Sequence, residues 1–118
     1  DNLNYEFIKS CVSIYSSLTE LTRAKEPEIA NQFFKSANFL YPYGILTLVK
    51  LKKISRPDAE KIFFKSVEKL TNEYMNLMLE NGKKNESFFK GSFLADDIYF
   101  CNEVASAIQT VVSKTKKN

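Results

Sequence analysis

The chain has 118 residues, of which 44% are apolar, and this length and composition suit one folded domain with a single core. Its formal net charge is only +3, and the sequence holds no histidine and two cysteines. These counts exclude Ser-His-Asp and Cys-His catalytic groups, histidine-ligated zinc and four-cysteine metal sites. Carboxylate chemistry needs no histidine, but no pair of acids in the sequence is placed convincingly for it. We therefore expect a protein that is not an enzyme, with no catalytic residue, no metal ligand and no cofactor.

The distribution of charge and of apolar residues argues against nucleic-acid and membrane partners. Part of the positive excess lies in the C-terminal "KTKKN", which we interpret as a frayed basic tail from about residue 114. Elsewhere only "VKLKK" (residues 49–53) gathers basic residues, and we interpret it as a solvated helix end rather than a phosphate-binding patch. No apolar run approaches the roughly 20 residues that cross a bilayer. We expect neither nucleic-acid binding nor membrane insertion.

The first 42 residues predict two helices. In the first segment apolar residues recur at steps of three and four, as on the core-facing side of a helix. They are Phe7, Cys11, Ile14, Leu18 and Leu21, widened by Ile8, Val12 and Tyr15. The "AKEP" motif (residues 24–27) is expected to end this helix, because the residue before a proline disfavours helical geometry. A second helix is predicted from Glu28 to about Leu40, and Pro42 is expected to stop it.

The middle of the chain predicts two further elements. The segment "YGILTLVKLKKI" (residues 43–54) predicts a short third helix, although its β-branched residues leave a strand open. A fourth helix is predicted from Ser55 to about Glu80, because a serine cap, Pro57 and Asp58 form a start signal. Asn81-Gly82 is expected to close it. Its predicted inward face is Ala59, Phe63, Val67, Leu70, Tyr74 and Leu77.

The last helix is predicted to begin near Ser92 or Phe93. Its apolar stripe is Leu94, Ile98, Cys101, Val104, Ala105, Ile108 and Val111. Asp96 and Asp97 suit the positive end of its dipole, and as neighbours they point about 100° apart, which disfavours a shared substrate. The sequence therefore predicts an all-α fold in which residues 1–118 form a single compact bundle of about five helices.

Cys11 and Cys101 lie on the apolar stripes of the first and last predicted helices. If these helices are neighbours, the two thiols meet, and a disulfide would link the first helix to the last. Such a bond would indicate an oxidising compartment. The alternative is two buried free thiols, because cysteine packs like a small apolar residue.

The segment "ENGKKNESFFKGS" (residues 80–92) places two adjacent phenylalanines, Phe88 and Phe89, in a polar stretch between two glycines. One interpretation is that the rings fold back over the end of the bundle. The other is that the loop presents at least one ring to a protein partner, since exposed aromatic residues act as interface anchors. The candidate partner-binding residues are Lys83, Lys84, Asn85, Glu86, Ser87, Phe88, Phe89 and Lys90.

The two cysteine-bearing segments, "YEFIKSCVSIY" (residues 5–15) and "FLADDIYFCNEVASAIQTVV" (residues 93–112), resemble the immunity proteins of type VI secretion amidase effectors. Both segments contain the spacing Ile-x-x-Cys. The resemblance implies a small, exported, all-helical protein, often a homodimer, that neutralises a peptidoglycan-cleaving cysteine amidase by filling its active-site cleft. It also implies that a protruding loop between helices enters that cleft, and residues 81–91 are our candidate for it.

We therefore expect a periplasmic inhibitor that binds and blocks a cell-wall amidase toxin. The start of the chain, "DNLNYEF", is consistent with a signal peptide that has been removed, and equally with a trimmed chain. The alternative function is a helical pilot or assembly factor of a secretion system that docks a partner's helix in an apolar groove. Phe33, Phe34, Phe63 and Phe64 would line that groove, although burial in the core would account for them as well.

Overall fold

The computed structural model describes the backbone of residues 2–117 and the side chains of residues 2–115. It contains four helices: α1 (Asn2–Thr22), α2 (Pro27–Lys52), α3 (Arg56–Asn85) and α4 (Phe93–Lys117). Within this described part there is no strand, so the all-α prediction is confirmed and the strand alternative for residues 43–54 is excluded. The expected count of about five helices is wrong by one. The predicted basic tail falls partly outside the described residues, and its first part, from Lys114, continues α4.

The second and third predicted helices are one continuous helix, because α2 runs through Pro42. A proline inside a helix lacks a backbone N–H and costs about 3 kcal/mol or more in helix stability. Here the residues on both sides of it are buried, including Leu40 and Ile45. Packing of this long apolar face against the rest of the bundle therefore outweighs the local preference for a break.

The helix start predicted at Ser55 is confirmed. Ser55 caps α3, and its side chain accepts a hydrogen bond from the backbone N–H of Asp58 at 3.3 Å. The first helix ends at Thr22, and Pro27 is the first residue of α2. Near the end of α3 the buried face differs by one residue from the predicted one. Met78 is fully buried there, whereas Leu77 is 45% exposed.

Helix α1 forms the centre of the bundle and contacts the other three helices. Its buried residues run along its whole length and include Leu18, which has no exposed surface. Four of the buried residues are serines or threonines, and each donates a hydrogen bond to the carbonyl four residues earlier. They are Ser13, Ser17, Thr19 and Thr22. These bonds satisfy polar groups that burial would otherwise penalise, so α1 can be buried on several sides at once.

Helices α2 and α3 pack tightly where Gly44 faces Phe63. The ring of Phe63 is fully buried, and it contacts the ring of Tyr41 edge-on at a centroid distance of 4.9 Å. A Cβ atom built on Gly44 would lie less than 3.0 Å from three carbons of the Phe63 ring. Only a residue without a side chain fits this crossing, which is the reason for a glycine inside α2.

Two contacts join the N-terminal half of α4 to the middle of α1. Cys11 and Cys101 lie at disulfide-bonding distance, with Cα atoms 5.3 Å apart, so the predicted proximity of the two cysteines is confirmed. The Tyr15 hydroxyl donates a hydrogen bond of 2.5 Å to the side-chain oxygen of Asn102. Burial raises the pKa of Tyr15 to about 12, so this phenol remains a donor at neutral pH. Leu94 and Cys101 are the fully buried residues in the described part of α4.

Replacing Gly44 with alanine is expected to lower the free energy of unfolding by about 1 to 3 kcal/mol, since overpacking a tight contact costs this much. Gly82→Ala is the matched control, because its Cβ would meet only the Phe88 ring, at 3.8 Å. It is expected to raise stability by about 0.5 to 1 kcal/mol through helix propensity. Urea unfolding followed by circular dichroism measures both changes, and equal effects of the two variants would contradict the tight crossing.

The cysteine pair, 90 residues apart in sequence, is expected to stabilise the protein strongly when bonded. The loop-entropy model assigns about 4 to 5 kcal/mol to a closed loop of this length. A reducing agent should therefore lower the midpoint of thermal unfolding of the wild-type protein and leave that of Cys11→Ala/Cys101→Ala unchanged. Titratable thiols in the denatured, unreduced protein would show that no bond had formed.

Candidate functional site

The predicted partner-binding residues divide between a helix and a short connection. Lys83, Lys84 and Asn85 form the last turn of α3, which continues past Asn81-Gly82. Glu86 caps this helix in the left-handed conformation, with φ of 55°. The prediction that Asn81-Gly82 closes the helix is therefore wrong. The connection to α4 is only residues 86–92, shorter than the loop expected from the sequence.

Phe88 and Phe89 are both half-buried and pack against the hydrophobic core. Gly82 lies beneath the Phe88 ring, and a Cβ atom at this position would be 3.8 Å from the ring, an ordinary contact distance. The structure therefore favours the interpretation in which the rings fold back over the bundle. It does not favour a loop that holds both rings away from the scaffold. Whatever surface these rings offer is part of the bundle itself.

The connection is held in place by the side chain of Asn81, which is 8% exposed. Its amide nitrogen donates hydrogen bonds to the carbonyl of Ser87 at 2.7 Å and to that of Lys90 at 2.9 Å. Its amide oxygen accepts a hydrogen bond of 2.9 Å from the Asn85 side chain. Since one buried amide satisfies two loop carbonyls, it sets where the two phenylalanines lie.

Two serines and a glycine complete the shape of the connection. The Ser87 hydroxyl oxygen accepts hydrogen bonds from the backbone N–H groups of Phe89 and Lys90, at 3.3 and 3.1 Å. Ser92 accepts one from the N–H of Leu94 at 3.2 Å, at the start of α4. Gly91 has a φ of 82°, which favours glycine. The connection is therefore a fixed turn on the scaffold.

The connection forms one wall of a groove of about 950 Å³, which we call the end groove. The other walls come from the end of α1, the start of α2 and the end of α3. The lining residues are Leu18, Thr22, Glu26, Ile29, Phe33, Leu79, Gly82, Lys83, Asn85, Glu86, Ser87, Phe88, Phe89 and Lys90. Of the eight predicted partner-binding residues, Lys84 alone is not part of this lining.

The end groove combines apolar walls with charged groups of both signs. Ile29 is 41% exposed and Leu79 is 45% exposed, so apolar surface is available to a partner. Lys83 and Lys90 contribute positive charge, and Glu86 negative charge. Lys83 also forms an exposed ion pair with Glu80 at 3.4 Å, and such pairs contribute little to stability. An apolar centre with a charged rim is typical of protein interfaces.

Sequence reasoning missed Ile29, Phe33 and Leu79 as members of the site. Ile29 and Phe33 are four residues apart, a spacing that predicts the core-facing side of the second helix. In the structure that stripe reaches the end of the bundle, where α3 and the connection leave it partly uncovered. The only signal in the sequence was an apolar pair one turn apart at the start of a helix. That this pair lies beside the polar connection is visible only in the structure.

The four phenylalanines assigned to a helix-docking groove do not share one surface. Phe63 is fully buried in the core and cannot line a groove. Phe33 lines the end groove, whereas Phe34 and Phe64 are 49% and 57% exposed elsewhere. The two adjacent pairs separate because neighbours on a helix point about 100° apart.

A small cavity of about 200 Å³ lies beside the cysteine pair and includes Tyr74 and Asp97 in its lining. Burial raises the pKa of the Asp97 carboxyl, and the neighbouring Asp96 carboxylate raises it further. Burial also raises the pKa of Tyr74. Asp97 is the only carboxylate in the lining of this cavity, so its walls do not supply a pair of acids.

No group of three histidine, cysteine, aspartate or glutamate side chains among the described residues is placed to hold a metal ion. None of the helices in residues 2–117 has the length and hydropathy of a membrane span.

No family model, no curated protein and no solved structure matches this chain.

Asn81→Asp is expected to lower the free energy of unfolding at neutral pH by at least about 2 kcal/mol. The change replaces a buried donor by a carboxylate that faces two carbonyls, and a buried polar group left unsatisfied costs about 1 to 3 kcal/mol. Asn76→Asp adds the same charge at an exposed position of α3 and should have little effect. Urea unfolding compares the two, and similar losses would show that Asn81 does not hold the connection.

Proposed function

We propose that this chain is an exported, non-catalytic inhibitor that binds a peptidoglycan amidase toxin through the end groove and blocks the toxin's catalytic cleft. The observation that carries the proposal is the end groove itself, a fixed surface with exposed apolar residues and charges of both signs. The resemblance of the cysteine-bearing segments to immunity proteins supports the choice of partner. An inhibitor of this kind needs a shaped surface and no chemistry of its own.

The binding mode proposed here differs from the protruding loop expected from the sequence. Phe88 and Phe89 are packed against the core, so they form part of a concave wall. A concave surface receives a projecting part of the partner, such as a loop at the lip of the amidase cleft. Lys83, Glu86 and Lys90 would then pair with polar groups around that loop, and the body of the bundle would cover the cleft entrance. Binding would require little rearrangement, since the connection is already hydrogen-bonded in place.

The cysteine pair supports an oxidising location for this function. Cys11 and Cys101 are at bonding distance, and disulfides persist in compartments such as the bacterial periplasm. A peptidoglycan amidase also acts in that compartment. A homodimer is compatible with the proposal, provided that the end groove remains open to the toxin.

Leu79→Asp is expected to weaken inhibition at least tenfold, because it places a carboxylate on an apolar wall of the end groove. Leu77→Asp is the matched control, since both leucines are 45% exposed on α3 and only Leu79 lines the groove. Immobilised wild-type protein would first capture its partner from periplasmic proteins of the source organism. Release of soluble fragments from purified peptidoglycan would then be measured with the captured amidase and each variant.

The proposal requires both that the captured protein cleave peptidoglycan and that the wild-type chain suppress the cleavage. Capture of a protein without this activity would contradict the toxin as partner. Equal inhibition by Leu79→Asp and Leu77→Asp would contradict the end groove as the binding surface. Circular dichroism of both variants ensures that the comparison is between folded proteins.

A further inference from the structure

A second groove, which we call the side groove, lies at the opposite ends of α1 and α2 from the end groove. Its volume is about 860 Å³, and α4 forms its third wall. The lining residues are Asn4, Phe7, Ile8, Tyr43, Leu46, Thr47, Lys50, Leu51, Val104, Ala107 and Ile108. None of these residues belongs to the end groove, so a ligand here would not depend on the function proposed above.

The apolar residues of the side groove follow helical spacing on each wall. On α4, Val104 and Ile108 are one turn apart, and Val111 continues the same stripe with 64% of its surface exposed. On α1, Phe7 is 38% exposed and Leu3, one turn earlier, is 60% exposed. Stripes on helices form ridges and grooves that accept another helix. The apolar surface therefore extends beyond a compact cavity, which favours a helix over a small molecule.

Packing within the chain leaves this face of α4 incompletely covered. From Asn102 to Thr115 no described residue is fully buried, although Val104, Ala105 and Ile108 are half-buried. Leu46 on the facing wall is 42% exposed. The C-terminal half of α4 therefore keeps apolar surface that an additional helix could cover.

The charge of the side groove indicates which helix fits. Lys50 is the single charged residue in the lining, and among the described residues it forms no ion pair. Among the residues that the structure describes, the lining contains no carboxylate. A second copy of this chain that docked by the same face would bring another lone cation and no anion from these lining residues to neutralise it. A partner that carries a carboxylate beside its apolar stripe would complement the groove.

We propose that the side groove binds an amphipathic helix of a different protein, with apolar residues one turn apart and an acidic residue that pairs with Lys50. The apolar stripe of the partner lies between α1, α2 and α4 and covers Leu46 and Val104. The acidic residue of the partner meets Lys50 at the α2 wall. This is a helix-in-groove interaction in which the apolar contacts supply affinity and the charge pair supplies specificity.

The test uses a displayed library of 15-residue helical peptides, selected on the full wild-type chain and counter-selected on Leu46→Glu. This variant puts a carboxylate in the apolar wall and supplies an intramolecular partner for Lys50 one turn away. Enriched peptides are expected to carry an apolar stripe at positions i, i+4 and i+7 with an adjacent Asp or Glu. Fluorescence polarisation then measures each peptide's affinity for the purified variants.

Affinity is expected to fall at least tenfold with Leu46→Glu and to stay unchanged with Ile62→Glu, whose parent side chain is 45% exposed outside both grooves. Lys50→Glu should favour peptides in which the acidic residue is replaced by lysine. The proposal is overturned if no peptide is enriched, or if the two glutamate variants bind enriched peptides equally. It is also overturned if sedimentation shows that the wild-type chain is a dimer and the Leu46→Glu variant a monomer. The same holds if the wild-type chain binds anionic lipid vesicles and the variant does not.

Discussion

The burial of α1 on several sides is the constraint on which the rest of the structure depends. A helix in that position needs apolar or internally bonded residues around most of its circumference. Its sequence meets this requirement with serines and threonines that bond to the helix's own backbone. One of them, Ser17, also donates a hydrogen bond of 2.9 Å to the carbonyl of Thr71 and so links α1 to α3. Small hydroxyl residues allow the neighbouring helices to approach closely while the hydroxyl groups of α1 themselves stay hydrogen-bonded.

Both grooves are consequences of this arrangement, because α1 forms part of the floor of each. Leu18 and Thr22 line the end groove, whereas Phe7 and Ile8 line the side groove. Helix α2 extends between the same two places, and its residues Ile29 and Leu46 are about 25 Å apart at 1.5 Å per residue. A single α2 is needed for this span. If the chain had broken at Pro42, the two grooves would have been built on separate short helices rather than on one rigid element.

The sequence predicted the fold class, the cap at Ser55, the end of the first helix before Pro27 and the proximity of the two cysteines. Each depends on local chemistry or on the apolar period of a long helix. Pro42 and Gly82 misled the prediction because both are local signals for a helix end. At Pro42 the opposing term is burial against other parts of the chain, whose size is not visible in the local sequence. The prediction also placed Leu77 on the buried face of α3 where the structure has Met78. A small error in the assumed helical period accumulates over the 30 residues of this helix.

The candidate site could be predicted only in part for a similar reason. The polar connection with its two aromatic residues is a contiguous feature, and it was found from sequence. Ile29, Phe33 and Leu79 join it from other helices, and this grouping depends on how the ends of those helices pack. The role of Asn81 was also missed, since Asn-Gly is typical of a helix end. Its buried amide instead holds the connection down, which turns an expected protrusion into the wall of a groove.

The two grooves differ in what holds their walls together. The end groove is built from α1, α2, α3 and a connection that Asn81 fixes by hydrogen bonds. The side groove needs the C-terminal half of α4, where no described residue is fully buried after Cys101. That half of the helix therefore depends on its anchorage at Cys101 and Asn102 to stay beside α1. The cysteine pair therefore positions the wall that completes the side groove, the proposed helix-binding surface, whereas packing and hydrogen bonds hold the end groove together.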